Sequence, residues 1–285
     1  MSQGYCITQS QIPLRIAIVD VSTTYIHEET LAGVADKLAK KIELDGKFIH
    51  PIMMDEKSSV VLDGMHRVEA IRQLGYPRIP ACLVDYADPR IRLESWYRTV
   101  EGSCDYVEMQ EMIEDLGYRV KKDSLNDARQ LVTERKVYAA IFTRTDYCTI
   151  HGPDKNIRDT YYSIKEIEDK ILGKGSSITY LTEEGAREAV FSNKSSAGIM
   201  TPTVTKAEVV NTALSGKVFP PKATRHVIPA RPMFVNIPNE WLTTRFNLAE
   251  ANHLLVNRLR SRGVRRLPPG QVLDRLYEEE LYVFG

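Results

Sequence analysis

Cysteine is scarce in this 285-residue chain, and what there is does not pair. Cys6, Cys82, Cys104 and Cys148 are scattered, with no CxxC among them. That favours reduced thiols in a cytoplasm over disulfides or a zinc site. No apolar run approaches the roughly 20 residues that a membrane helix needs, so no membrane partner is expected. The first residues, MSQGYCITQSQ, lack a basic stretch followed by an apolar core, so they do not read as a secretion signal. Charge of neither sign is in excess: 38 Lys and Arg face 38 Asp and Glu. Net charge therefore gives no reason to expect a nucleic-acid partner. Internal repeats and low-complexity segments are also missing.

What is present is an alternation of strand and helix patterns. Leu14 to Val21 reads as a strand. Leu31, Val34, Ala35, Leu38 and Ile42 have helical spacing, with Thr30 placed to cap the helix. Phe48 to Met54 and Ile79 to Tyr86 read as further strands. One stretch organises the rest. Val60-Val61-Leu62 is apolar and β-branched, Asp63-Gly64 turns, and Val68, Ile71 and Leu74 then recur every three residues up to Gly75. Strand, glycine turn, helix is a phosphate-binding geometry, because the first N–H groups of a helix lack partners within it and the dipole there is positive. Gly64 lets backbone approach an anion, and His66 and Arg67 add donors at the same end. Asp63 would repel a bare phosphate and makes better sense holding a cation that the phosphate shares. An Asp cap beside an ordinary surface Arg fits the same residues about equally well.

Beyond residue 100 the pattern continues. Val107 to Leu116 reads as a helix, and Val137 to Phe142 with Tyr147 to Ile150 as a hairpin. Ile164 to Leu172 reads as a helix, Ile178 to Leu181 as a strand and Glu183 to Val190 as a helix. Thr205 and Glu208 have capping-box spacing ahead of a helix that runs to Ser215. Pro220-Pro221 then stiffens a segment carrying Lys222, Thr224, Arg225 and His226, which in isolation reads as a solvated loop. Trp96 reads first as core, although its flat face can also wall a small-molecule pocket. Glu28, read alone, is a carboxylate complementing a helix N-terminus. The tail is expected to form a helix led by Asn247, then a second one after Pro268-Pro269-Gly270 that ends in Glu278-Glu279-Glu280. Five arginines fall between Arg258 and Arg266, without the interleaved aromatics of a single-strand nucleic-acid site.

Asp63-Gly64-Met65-His66-Arg67, between a strand and an amphipathic helix, resembles the ParB/sulfiredoxin superfamily over about residues 12 to 87. A sulfiredoxin would carry its reactive cysteine in the turn, where this chain has Met65. A partition protein would continue into a Gly-Glu-Arg-Arg box and a helix-turn-helix, and neither is evident. His27-Glu28, Trp96 and Pro221-Lys222-Ala223-Thr224-Arg225-His226 are instead similar to the free-serine kinases. The resemblance extends to about residue 240.

The resemblance implies an α/β (α+β) fold. Residues 1–100 would form a ParB/sulfiredoxin-like nucleotide-binding domain, 101–240 a second, smaller α/β lobe completing the substrate pocket, and 241–285 a helical extension, the candidate surface for a homo-oligomer. It implies a phosphotransferase making O-phospho-L-serine from L-serine, with ATP or ADP as donor and Mg²⁺ bridging phosphate oxygens. Gly64, Met65, His66 and Arg67 would hold the phosphates, and Asp63 would be a direct or water-mediated metal ligand. Glu28 would be the base, with Asp63 and His66 beside it in catalysis. Trp96, Lys222, Thr224, Arg225 and His226 would hold the serine. The competing expectations are a ParB-like nucleotide-binding regulator associated with DNA, and a kinase of another small hydroxylated metabolite.

Overall fold

A computed structural model describes residues 4–102, 104–273 and 275–285. The chain divides into two compact units. The first comprises Met1–Arg92, Lys206–Val218 and His226–Gly285, and the second Leu93–Thr205 with Phe219–Arg225. Both are mixed α/β, as the sequence implies.

The first unit is built on a five-stranded sheet in the order Tyr5–Ile7, Leu14–Asp20, Arg78–Val84, Ile52–Asp55, Val61–Asp63. The pair Ile52–Asp55 and Arg78–Val84 is parallel, and the other three pairs are antiparallel. Its three central strands are apolar on both faces: the neighbours Ile16 and Ala17, Ile52 and Met53, and Ala81 and Cys82 are all buried. That is the pattern of a sheet covered from two sides.

The expected strand Phe48 to Met54 is two strands, Lys47–Phe48 and Ile52–Asp55. Pro51 lies between them and has no N–H to give a ladder. The helix Ala32–Asp45 starts at Leu31 without a side-chain cap, so Thr30 does not act as one. Its buried face is Ala35, Ala39 and Ile42, while Leu31 and Val34 are exposed. Small alanines allow close approach where the larger residues had been expected to face inward.

The C-terminal segment differs most from expectation. The helix Leu248–Arg260 forms, with a capping box between Asn247 and Glu250. Its buried Asn252 satisfies both backbone groups of Ile18, at 2.9 Å each, on the strand Leu14–Asp20. The second expected helix is absent. Gln271–Val272 pairs with Leu276–Tyr277, and Glu280–Phe284 lies between Ala230–Met233 (parallel) and Val264–Leu267 (antiparallel). The extension is therefore helix followed by sheet, and it belongs to the first unit. Tyr282 and Phe284 favour a pleated, half-buried position, and that preference outweighs the helix-forming glutamates before them.

Of the arginine-rich stretch, Arg258 and Arg262 are half-buried and bound within the fold, while Arg260, Arg265 and Arg266 are exposed. Arg262 donates to the carbonyls of Phe234, Val235, Phe284 and Gly285 at 2.8–3.1 Å. Arg266 pairs with buried Glu280, and Arg258 lies over the Trp241 ring at 5.9 Å.

The second unit is a six-stranded antiparallel sheet in the order Ser177–Leu181, Tyr97–Glu101, Ala197–Met200, Ala139–Phe142, Tyr147–His151, Arg119–Lys122. The helices Leu125–Thr133 and Glu183–Phe191 cover one apolar cluster that includes Tyr97, Val132, Phe142, Val190 and Met200. The expected hairpin forms, with Ala139–Phe142 paired antiparallel to Tyr147–His151. Arg119–Lys122 carries too few apolar residues to have been read in advance, whereas Leu125, Ala128, Leu131 and Val132 behind the Ser124 cap are a helical signal that was missed. Among the described residues, no helix is long and apolar enough to cross a membrane.

Candidate active site

The phosphate-like turn of the first unit forms as its sequence suggests. The strand Val61–Asp63 ends at Gly64, and the helix Met65–Gln73 begins directly after it. Gly64 caps that helix with φ +102°, a left-handed conformation that side chains rarely adopt. A Cβ there would come within 2.8 Å of Arg67 Nε and of Ile52, so the position is closed to any side chain. The N–H groups of Arg67 and Val68 both donate to the Gly64 carbonyl. The N–H groups of Met65 and His66 stand in the first turn, at the positive end of the helix.

The turn's side chains are held more firmly than the sequence implied. Arg67 Nη1 donates to the carbonyls of His50 and Pro51, at 2.8 Å each, and Nη2 to Asp63 at 3.1 Å. Arg67 thus braces the turn as much as it offers charge to it. His66 Nε2 accepts from the Leu31 N–H at 3.0 Å, which ties the turn to the start of the helix Ala32–Asp45.

Asp63 is shared by two guanidiniums, Arg67 and Arg231. Partial burial alone would raise its pKa, but Arg231 and then Arg67 hold the carboxyl well below the usual carboxylate range. The expected metal role fits this poorly. The carboxylate is already neutralised, and the described residues contain no group of three or more His, Cys, Asp or Glu able to hold a metal.

Glu28 is buried, and its position is set by the strand that enters the turn. Tyr25 bridges Val60 in parallel, and the Val61 N–H donates to the Tyr25 carbonyl at 2.8 Å. His27 Nδ1 donates to the Val61 carbonyl at 2.8 Å. Sequence reasoning singled out His27-Glu28 without giving His27 a role. The buried His27 ring meets His226 edge-to-face at 5.1 Å. His226 Nε2 lies 2.8 Å from the Tyr86 hydroxyl, and Lys206 sits over the Tyr86 ring at 5.1 Å while donating to the Tyr86 and Asp88 carbonyls.

Burial holds both imidazoles below their ordinary value of 6.5. Glu28 opposes the effect at His27, and the neighbouring His27 reinforces it at His226. Asp63 raises and Lys206 further lowers His226. Both rings are thus neutral in the folded chain near neutral pH, while the unfolded chain takes up their protons below about pH 6.5. Stability should fall as pH drops through 6.5, by up to about 1.4 kcal/mol per pH unit for each imidazole. Urea unfolding at pH 7.5 and 5.5 checks this. The His27→Gln/His226→Gln chain should lose less stability over that interval than the parent, and an equal loss would mean that the pair does not titrate on unfolding.

The second unit carries the other residues except His226, which falls in the first. Trp96 is half-buried rather than core. Two cations lie over its ring, Lys222 Nζ at 5.1 Å and the Arg225 guanidinium at 5.4 Å, and its Nε1 donates to the Thr224 carbonyl at 3.0 Å. Arg225 also pairs with Glu94. Lys222 has φ +65°, a strained value for a residue with a side chain. The predicted substrate segment and the predicted aromatic wall are therefore one cluster of cations around an indole. Two residues that sequence reasoning missed complete the picture. Arg231 reaches Asp63, and Arg98 lies beneath the Lys222 loop, donating to the Trp96 and Lys222 carbonyls at 2.5 and 3.2 Å.

No family model matches the chain. It is similar to an ATP-dependent L-serine kinase of Staphylothermus marinus, with 29% identity over 78% of this chain and 88% of the relative. It is also similar to the ADP-dependent L-serine kinase SerK of Thermococcus kodakarensis, with 24% identity over 76% of this chain and 88% of that one. Among solved structures, a free serine kinase in complex with AMP superposes with a TM-score of 0.69 at 21% identity, covering 82% of this chain and 97% of that one. The fold is thus that of the free serine kinases, and the resemblance read from the sequence is borne out.

Proposed function

We propose that this chain transfers the terminal phosphoryl group of ATP or ADP to the hydroxyl of free L-serine, giving O-phospho-L-serine and ADP or AMP. The observation that carries the reading is the similarity, over about three quarters of the chain, to proteins named L-serine kinase. It coincides with a strand–glycine–helix turn suited to an anion.

In this reading the nucleotide's phosphates rest on the backbone of Gly64 to Arg67, at the positive end of the helix Met65–Gln73. Arg67 and His66 fix the turn's shape, and Asp63 is held between its arginines. The serine hydroxyl attacks the terminal phosphorus as its proton passes to the Glu28 carboxylate. The bond from that phosphorus to the bridging oxygen breaks, and the electron pair leaves with the nucleotide. Positioning and charge neutralisation supply most of the acceleration in such transfers.

Lys222 and Arg225 offer charge to the serine carboxylate, Thr224 adds a donor, and Trp96 is the apolar wall. His226, neutral and next to His27 and Tyr86, adds a polar ring rather than a cation. Mg²⁺ would enter as part of the nucleotide substrate, beside an Asp63 that two arginines already neutralise, and no step is assigned to it. The unpaired cysteines suit a reducing cytoplasm.

The test is a panel of free amino acids incubated with ATP and with ADP and read by phosphorus NMR. A phosphomonoester signal with L-serine, carried by one or both nucleotides, is expected. Phosphorylation of another hydroxylated compound but not serine would move the substrate. No transfer, with retention on DNA that weakens steeply with salt, would favour the regulator.

A further inference from the structure

The C-terminal segment reaches the phosphate turn through a side chain that the reaction described above does not employ. Arg231 stands on Ala230–Met233, opposite Leu281 in the parallel ladder with Glu280–Phe284. Its Nε donates to Glu279 Oε1 at 2.8 Å, and its Nη1 to Asp63. The Arg231 and Glu279 side chains are about nine-tenths buried, at 10% and 11% exposure, while Asp63 is 42% exposed. Arg275 Nη2 reaches Glu279 at 3.1 Å, and its guanidinium stacks 4.0 Å from the centre of the buried Tyr277 ring. Arg275 also acts electrostatically on Asp63. Two residues of the C-terminal segment, Arg275 and Glu279, are thus coupled to the turn, and Glu279 clamps the arginine that holds its carboxylate.

We propose that Arg231 and Glu279 are positioning residues of the nucleotide site, through which the C-terminal segment fixes Asp63 and the phosphate-binding turn; this rests on the reading of that turn as the phosphate site. A guanidinium offers separate donors in a rigid plane, so it can be pinned by one carboxylate while presenting another N–H to a second. An ammonium carries its three donors on one nitrogen, so it cannot span two carboxylates set as far apart as the guanidinium's separate nitrogens reach. With Glu279 neutralised, Arg231 loses its charged clamp on one side, and Asp63 becomes its only remaining carboxylate partner of the two. Asp63 and Arg67 share a hydrogen bond, and Arg67 braces the carbonyls that precede the turn, so displacement of Asp63 is passed to the turn itself.

Charge alone makes the opposite forecast, which gives the proposal its test. Asp63, Arg67, Arg231, Arg275 and Glu279 set three guanidiniums against two carboxylates. Glu279→Gln leaves three against one, and a merely electrostatic role would make the site bind a nucleotide more tightly. Positioning requires weaker binding. The experiment measures the Kd of ADP and of ATP by calorimetry, KM for nucleotide and for serine, kcat, and the thermal midpoint, on full-length parent, Glu279→Gln, Glu279→Asp and Arg231→Lys chains.

Glu279→Gln and Arg231→Lys are expected to raise nucleotide Kd and KM on the order of tenfold, the scale of a small misplacement of binding groups, with serine KM unchanged. Glu279→Asp, which keeps the charge one methylene short, should recover part of that loss. Nucleotide Kd unchanged or lowered in both Glu279→Gln and Arg231→Lys overturns the proposal. If Glu279→Gln does not fold, Glu279→Asp decides, since parent-like nucleotide affinity there is equally fatal. A parent chain that binds neither nucleotide sinks the phosphate-site reading and this proposal together, whereas a parent that binds with variants that match it sinks this proposal alone.

Discussion

Glu28→Gln is expected to lower turnover with serine by about 10²-fold or more, the range for loss of a general base, while leaving fold and nucleotide affinity in place. The substitution keeps shape and one carbonyl-like oxygen but cannot accept the serine proton at neutral pH. Glu28 is 7% exposed, so its carboxylate is screened little by water. Its main chain is fixed to the strand that enters the phosphate turn, through the Tyr25 bridge to Val60 and the His27 bond to Val61. Whatever displaces that strand displaces base and turn together. Equilibrium binding of ADP, circular dichroism and single-turnover transfer separate the alternatives. Turnover equal to that of the parent would remove Glu28 from the role. Loss of nucleotide affinity with turnover in proportion would make it a structural carboxylate of the turn.

The turn was legible in the sequence because everything that makes it is local. An apolar β-branched run, a glycine and a three-residue apolar recurrence lie within sixteen consecutive residues, Val60 to Gly75, and short-range sterics and hydrogen bonding decide the outcome. The cationic cluster was legible as composition only. Lys222, Thr224 and Arg225 read as a solvated loop until the fold set two of their charges over the Trp96 ring.

Arg231 and Arg98 were not legible at all. Arg231 meets Asp63 across 168 positions, and Arg98 meets Glu168 across 70, and no periodicity links such pairs. The tail misled for a different reason. Glu278-Glu279-Glu280 has good intrinsic helix propensity, but Leu281 to Phe284 gain more by burial on a ladder with Ala230–Met233. The same tertiary pairing brought Glu279 to Arg231, so the misread element and the missed residue have one cause. Thr30 failed as a cap in a smaller way, because the helix begins one residue later than the apolar spacing suggested.

Arg98→Met is expected to destabilise the second unit by about 3–5 kcal/mol, the cost of leaving one buried charge without its partner. Arg98 is 1% exposed and its partner Glu168 8%, with Nε 2.5 Å from Oε1. The guanidinium uses its other donors on Thr201 Oγ1 at 3.1 Å and on the Trp96 and Lys222 carbonyls. The Tyr161 and Tyr180 rings lie 5.7 and 5.3 Å from it, and the Tyr180 hydroxyl donates to Glu168 at 2.7 Å. Methionine fills part of the volume but satisfies none of these acceptors, so Glu168 is left buried and charged, with one tyrosine hydroxyl. Arg98→Met/Glu168→Leu removes the stranded charge as well and should recover much of the loss, because a buried ion pair and a packed apolar pair of similar volume are often close in energy. What the double change does not restore is the hold on the Lys222 carbonyl. Lys222 adopts a left-handed backbone that persists only where its surroundings over-determine it. The recovered protein should therefore unfold in urea near the parent midpoint yet show a raised KM for serine with the nucleotide KM unchanged. A double variant as unstable as Arg98→Met would place the cost in the lost carbonyl bonds rather than in Glu168. Parent-like serine KM would mean that the loop keeps its shape without the guanidinium beneath it.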